Sequence, residues 1–317
     1  MCFPSTVTGR LRSALTSPVL LVLGAVLSVQ VGAGIAKSGF DAVGATGLVF
    51  LRLTIAALIL ALAVRPRLRG RSATAWRTVV AYAAALAVMN WAFYQAFARI
   101  ELGIAVTIEF LGPLAVAVLM SRRVRDVGWA LLAGLGVAAL GLGPTDLDPV
   151  GVGFALVAAA AWAAYILTSA GTGRHWEGID GLAVASTLAA AMVAPTLLLP
   201  EALGGFSDDA AYAALLSLPV LVAGAAAGLL SSVVPYALEL RALRELPPRV
   251  FGVLLSLEPA VAAGVGVVLL SERLDLLGWS AIAAVVIASI GATRSRGVRR
   301  PRTEAAADDV ETGHLAD

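Results

Sequence analysis

The sequence predicts an all-α integral membrane protein with ten transmembrane helices, arranged as two inverted five-helix repeats. Of its 317 residues, 59% are hydrophobic and only 14% are charged, whereas about 25% of the residues of an ordinary globular domain are charged. Apolar stretches follow one another with short links, and most have nearly the ~20 residues that a helix needs to cross a bilayer. The chain also repeats itself. Composition, apolar stretches and repeat together favour a polytopic membrane protein over a soluble fold.

Ten apolar stretches can each form a membrane-spanning helix. Their predicted bounds are 18–36, 44–64, 78–97, 103–120, 127–142, 150–170, 182–199, 213–238, 250–270 and 276–292. The first follows two arginines and could be taken for a signal peptide, but its similarity to a later stretch favours retention. Residues 1–17 are expected to form a cytoplasmic N-terminal segment. Residues 294–317 lack apolar periodicity and are expected to form a disordered cytoplasmic tail.

The placement of the arginines predicts the orientation, because Lys and Arg in short links are retained on the cytoplasmic side. With the N-terminus inside, most of the 23 Lys and Arg residues fall on one face. The other face holds only Lys37, Arg99 and Arg273, together with acidic residues such as Asp146. Both termini are therefore predicted to be cytoplasmic, and the link that contains Asp146 is predicted to face outward.

Similar segments recur in the two halves of the chain. "DVGWALLAGLGVAALG" (126–141) resembles "DLLGWSAIAAVVIASIG" (275–291), "FLGPLAVAV" parallels "SLEPAVAAG", and "SPVLLVLGAVL" parallels "DPVGVGFALVA". The repeats are predicted to cover 18–143 and 149–293. An odd number of spans in each repeat turns the second copy upside down, and inverted repeats are a transporter architecture with a site near the bilayer midplane.

Several functional classes are disfavoured by the residues that are present. Cys2, His175 and His314 are too few for a disulfide framework or a metal cluster. Every aspartate lies in a link or in the tail, and no intramembrane protease or diphosphate motif is present. We therefore predict no catalytic residues, no metal, no cofactor and no nucleic-acid partner. A channel is also disfavoured, because inverted repeats with breaks near the middle suit alternating access better.

Three charged residues, Arg52, Glu109 and Glu258, fall inside predicted spans. A charged side chain at the bilayer centre costs about 2.5–3.5 kcal/mol on insertion scales, so each must face a partner or a watery cavity. A salt bridge between Arg52 and Glu109 is geometrically possible. Such a pair could only hold two helices together, or one or both residues could contact substrate or a proton.

Prolines are expected to break three of the spans. Pro113 frees the carbonyl of Glu109, Pro235 frees that of Ser231, and Pro259 frees that of Leu255, since proline has no N–H to donate. In a membrane, freed carbonyls must face protein or line a cavity. These prolines either mark a site or simply bend packed helices.

Other polar side chains share helical faces and could complete a pocket. They are Gln30 and Lys37 in the first span, Asn90 and Tyr94 in the third, Trp162 and Tyr165 in the sixth, and Tyr236 in the eighth. An amino-acid zwitterion needs an acceptor for its ammonium and a donor for its carboxylate, and these residue types supply both. Packing or interfacial anchoring is the alternative role for each of them.

Five segments carry a family resemblance: "SVQVGAGIAKSGF", "ALAVMNWAFYQAF", "LGIAVTIEFLGPLAVAVLMSRR", "AAAAWAAYIL" and "LRELPPRVFGVLLSLEPAVAAGVGVVLLSERL". They resemble EamA-type members of the drug/metabolite transporter superfamily that export threonine and homoserine. The resemblance runs from about residue 28 to 291, although Ile108 replaces the usual leucine before Glu109.

The resemblance implies a secondary active transporter in the bacterial cytoplasmic (inner) membrane. It would export small amino acids or related metabolites, driven by the proton gradient. A transporter of another drug or metabolite, or one working in uptake, is the alternative. Burial favours a neutral carboxyl group and a nearby arginine favours an ionised one, so we expect Glu109 to load and release the proton, with Glu258 as its nearest analogue.

Overall fold

A computed structural model describes residues 17–121, 124–141, 147–199, 205–206 and 209–295. The predicted tail beyond residue 295, the segment before residue 17 and Asp146 lie outside these residues, whereas residues 294 and 295 of the predicted tail are helical. The long helices, some of them interrupted, are α1 (Pro18–Lys37), α2 (Phe40–Val64), α3 (Ala73–Phe97), α4 (Leu102–Glu109 and Leu111–Leu119), α5 (Val124–Leu140), α6 (Pro149–Thr172), α7 (Asp180–Val193, extended by Ala194–Leu198), α8 (Leu218–Gly228, Leu229–Val233 and Val234–Ala242), α9 (Pro248–Leu255 and Glu258–Leu269) and α10 (Leu276–Ser295). A short helix, Asp209–Leu215, lies between α7 and α8.

The predicted all-α membrane fold is confirmed. Within the described part of the chain, nine helices are long and apolar enough to cross a membrane. The other, α5, has 17 described residues and packs along α10. It begins beside residues that the structure does not describe.

Local capping explains where several helices differ from the predicted bounds. α3 begins at Ala73 rather than at 78, because the Ser72 hydroxyl accepts a hydrogen bond from Ala75 N at 3.2 Å. The predicted start of the eighth span at 213 is wrong. The chain turns at Ser217 and α8 begins at Leu218, with a proline in its first turn, where proline is tolerated.

Polar contacts between the links show which helix termini lie at the same end of the bundle. At the end that carries most of the described arginines, Arg71 pairs with Asp180 at 3.5 Å, and Arg249 donates to the carbonyl of Arg294 at 2.8 Å. This end is called the arginine-rich end below.

The opposite end is tied together by two other ion pairs. Lys37 pairs with Glu272 at 2.9 Å, and Arg99 approaches Asp148 at 3.9 Å. Because α1 ends where α6 begins, these two helices run in opposite directions. Helices five positions apart run in opposite directions in any bundle whose spans alternate across the bilayer, so the inverted repeat stays a prediction.

Most contacts between the two halves join helices that occupy corresponding positions. α3 packs on α6 and α7 as α8 packs on α1 and α2, α4 packs on α6 as α9 packs on α1, and α2 packs on α7, α4 on α9 and α5 on α10. Exchanging each helix for the one five positions away leaves these pairs unchanged. The contact of α4 with α10 departs from this pattern, because no comparable contact joins the described parts of α9 and α5. The duplication therefore stays a prediction.

Two glycines let α4 approach its neighbours closely enough to reach the bundle centre. A Cβ on Gly103 would lie 2.7 Å from Ala263 Cα in α9, and one on Gly112 would collide with the carbonyl of Ala159 in α6. Small residues at such crossings are typical of packed membrane helices. They place Glu109, which lies between the two crossings in sequence, in the middle of the bundle.

Candidate functional site

A cavity of about 130 Å³ lies at the centre of the bundle. Residues of α1, α2, α3, α4, α6, α8 and α9 line it. The sequence-predicted site residues that it brings together are Gln30, Arg52, Asn90, Tyr94, Glu109, Trp162 and Glu258. Side chains that are far apart in sequence, from both halves, therefore face one space, which we call the central cavity.

Arg52 is held in this cavity by neutral partners from two helices. Its Nη1 donates to Asn90 Oδ1 at 2.6 Å and its Nη2 donates to the carbonyl of Ser231 at 3.3 Å. The guanidinium lies 5.5 Å from the centroid of the Tyr94 ring, within the range of a cation–π contact. Asn90 is itself oriented by donation from Nδ2 to the carbonyl of Leu86 at 2.8 Å. These contacts fix the arginine without neutralising its charge.

The Ser231 carbonyl is available to Arg52 because of Pro235. Proline cannot donate to the carbonyl four residues earlier, and here Leu229–Val233 forms a π-helical segment. The same segment contacts α1, since Ser28 Oγ donates to the carbonyl of Leu230 at 2.7 Å. The break in α8 thus supplies an acceptor to the cavity.

Glu109 and Glu258 both lie at helix interruptions. Glu109 ends the first half of α4, is 8% exposed, and is followed by Phe110 at the junction and then by Pro113. Glu258 begins the second half of α9, directly before Pro259. Among the described residues, Glu109 and Arg52 do not form an ion pair. The salt bridge that the sequence allows is therefore absent from this conformation.

Several buried polar atoms in the cavity wall lack a hydrogen-bond partner within the described structure. They are Gln30 Oε1, Tyr94 Oη and Arg52 Nε. Gln30 is 3% exposed and the Tyr94 side chain is fully buried. Because an unsatisfied buried polar group costs about 1–3 kcal/mol, an acceptor, a hydroxyl and an N–H unpaired in one cavity favour a polar occupant there, either water or a solute.

A second cavity, of about 270 Å³, adjoins the first and shares Arg52, Asn90, Trp162 and Ser231 with it. It holds the other two predicted aromatic residues, Tyr165 and Tyr236, and also Glu239. We call it the inner vestibule. Tyr165 and Tyr236 also line a smaller cavity beside the link between α6 and α7, at the arginine-rich end. The central cavity, the inner vestibule and this smaller cavity therefore follow one another toward the arginine-rich end.

Lys37 does not line these cavities. It pairs with Glu272 Oε1, while Glu272 Oε2 accepts a hydrogen bond from Leu102 N at 2.9 Å. The lysine thus joins α1 to the link between α9 and α10. Toward this end of the bundle, the aromatic rings of Phe40, Phe93, Tyr94 and Phe97 pack with centroid separations of 4.8–6.3 Å.

Sequence reasoning missed two contributors. The sequence predicts a freed carbonyl at Ser231 but not its acceptance of a hydrogen bond from Arg52, although Arg52 is a buried donor that needs such an acceptor. The sequence also gives no indication that Glu272 belongs near the predicted site residues. Its partnership with Lys37 joins residues more than two hundred positions apart and leaves no local signal.

Comparison with known proteins assigns this chain to a family. Residues 149–294 match the model of the EamA-like transporter family. The threonine/homoserine exporter RhtA of Escherichia coli (strain K12) is 40% identical over 282 residues, which cover 87% of this chain and 91% of that protein. The chain belongs to the EamA-like transporter family. It is a transporter and not an enzyme.

Other relatives agree with the assignment. RhtA of Salmonella typhimurium (strain LT2) is 41% identical over 280 residues, covering 87% of this chain and 91% of that protein. A protein of known crystal structure is similar with a TM-score of 0.54 and 20% identity, over 88% of this chain and 96% of that one. At this identity the similarity shows the fold alone.

Proposed function

We propose that this EamA-family transporter exports small amino acids with a hydroxylated side chain, such as threonine or homoserine, across the bacterial inner membrane. The family assignment, and the naming of its 40% identical relatives as threonine/homoserine exporters, support this substrate class. Export is proposed to be driven by the proton gradient, with both termini on the cytoplasmic side.

The observation that carries the proposal is the set of polar groups around the central cavity. Arg52 has unused N–H donors, including its unpaired Nε, for a substrate carboxylate. Glu109 offers an acceptor for the ammonium, and Gln30 and Tyr94 offer unpaired groups for a side-chain hydroxyl. A zwitterion with one extra hydroxyl would satisfy all of them.

The size of the cavity also favours a small solute. At about 130 Å³ it is smaller than the roughly 300–1,000 Å³ of sites for drug-sized ligands. The inner vestibule gives it access from the arginine-rich end, which is the predicted cytoplasmic face. A solute would therefore be collected from the cytoplasm in this conformation.

A larger and less polar substrate is the second candidate. A cavity of about 350 Å³ beside the central one shares Trp162 and Glu258 with it and is lined mainly by apolar side chains such as Phe110, Leu114 and Ile166. An apolar amine or drug would fit there better than threonine. Uptake is the alternative direction, and vesicles of opposite orientation distinguish it from export.

Flux of labelled amino acids in inside-out membrane vesicles tests the proposal. Vesicles with the protein should accumulate threonine and homoserine when a proton gradient is imposed, and vesicles without it should not. Accumulation of apolar amines alone would support the second candidate, and accumulation only in right-side-out vesicles would reverse the direction.

A further inference from the structure

Glu239 lines the inner vestibule but not the central cavity. Glu239 lies two turns beyond Ser231 on α8, toward the arginine-rich end, and it lines the vestibule together with Tyr165 and Tyr236. No basic side chain of the described chain forms an ion pair with Glu239. A partly buried carboxylate in the wall of a cavity is stabilised when a positively charged group binds beside it.

The vestibule walls suit an ammonium group. The aromatic residues Tyr165 and Tyr236 line the vestibule together with Glu239, and Trp162 lines both the vestibule and the central cavity. A carboxylate flanked by aromatic rings combines ion pairing with cation–π attraction. Phosphate or carboxylate ligands would be repelled by Glu239 at this position.

One amino acid cannot occupy both sites fully. Arg52 is anchored at Ser231, and eight helical residues separate Ser231 from Glu239, a rise of ~12 Å along α8. The ammonium and carboxylate of an α-amino acid lie on the same carbon. Glu239 therefore marks a separate position on the path rather than part of the central site.

We propose that Glu239, with Tyr165 and Tyr236, forms a first binding site for the ammonium group of the substrate on its way from the arginine-rich face to the central cavity. This inference rests on the proposed function, because it takes an amino acid as the substrate. The substrate then moves inward, its carboxylate reaches Arg52, and its ammonium passes from Glu239 to Glu109.

Concentration-dependent initial rates of labelled threonine flux, measured from each face in vesicles of both orientations, test this site. Glu239→Gln should raise KM at the arginine-rich face by about fivefold or more, because a charged partner is lost, with kcat and the KM at the other face nearly unchanged. Glu245→Gln removes an exposed carboxylate just beyond α8 at the same end and should change neither value.

The outcomes separate this inference from the proposed function. If the wild-type protein carries no amino acid, the proposed function fails. If the wild-type protein carries threonine but Glu239→Gln leaves KM unchanged at the arginine-rich face, or lowers kcat equally from both faces, the first site is refuted. Should Glu239→Gln fail to insert, Tyr236→Leu must give the same one-sided rise in KM, and its absence would equally refute the site.

Discussion

At the scale of single residues, Arg52 is oriented by neutral groups, and its charge has no carboxylate partner within the described part of the chain. Arg52 is bound by an amide and a backbone carbonyl rather than by a carboxylate. A fixed ion pair would have satisfied both charges permanently and left nothing for a ligand. The arrangement favours a transport role for Arg52 and Glu109 over a purely structural pairing.

A double-mutant comparison tests whether Arg52 and Glu109 act separately. Arg52→Ala should lower transport at least about tenfold, since a charge-assisted carboxylate contact is lost. Because the two residues do not pair here, the Arg52→Ala/Glu109→Gln protein should express no better than either single variant. Expression levels and flux would be measured together. Restored folding in the double variant would show that the pair is structural.

Gln30 is predicted to set specificity for a side-chain hydroxyl. Gln30→Leu removes the unpaired acceptor Oε1 while keeping a similar volume. The preference for threonine over valine, which has a methyl in place of the hydroxyl, should fall by about fivefold or more, because a hydrogen bond to the hydroxyl is worth about 1 kcal/mol or more. Competition assays with the two amino acids measure the ratio. An unchanged ratio would remove Gln30 from recognition.

At the scale of helices, the proline-linked breaks place polar backbone groups and carboxyl groups at the bundle centre. The sequence predicts these breaks well, because proline chemistry is local. The interruptions in α4, α8 and α9 all lie within the six residues that precede their prolines. The partners of the freed groups are not local. That Arg52 from α2 reaches Ser231 on α8 depends on packing between the two halves.

Pro235→Ala tests whether the freed Ser231 carbonyl is needed to hold Arg52 in position for the substrate. Alanine restores an N–H that can bond the Ser231 carbonyl and thereby compete with Arg52. Thermal stability should be unchanged or higher, whereas the KM for substrate should rise severalfold. Pro219→Ala, at the first turn of the same helix, is the matched control and should leave KM unchanged. A drop in stability with an unchanged KM would contradict this role for Ser231.

At the scale of the whole molecule, the spans follow from length and hydropathy, which is why most predicted bounds lie within about three residues of the observed helix ends. The convergence of Arg52, Glu109 and Glu258 on one cavity also follows, because buried charges must lie away from lipid. Lys37 shows the limit of this reasoning. Because Gln30 and Lys37 lie on one helical stripe, the sequence predicts that both line one pocket. Lys37 instead lies at the end of α1, where it forms an ion pair with Glu272.

The single cysteine provides a direct test of the predicted topology. Cys2 should be labelled by a membrane-impermeant maleimide in inside-out vesicles but not in intact cells, because the N-terminus is predicted to be cytoplasmic. In a Cys2→Ser background, Asp146→Cys should show the reverse pattern. Labelling of Cys2 in intact cells would invert the assignment and exchange the two faces.

The most direct test of the account is the effect of Glu109→Gln on proton-coupled transport in reconstituted vesicles. Glutamine keeps the size and hydrogen bonding of the side chain but cannot carry a proton. The variant should insert normally, lose accumulation of threonine driven by an imposed proton gradient, and retain exchange of labelled for unlabelled threonine, which needs no net proton movement. Gradient-driven accumulation at the wild-type level, with unchanged pH dependence, would contradict proton coupling at Glu109.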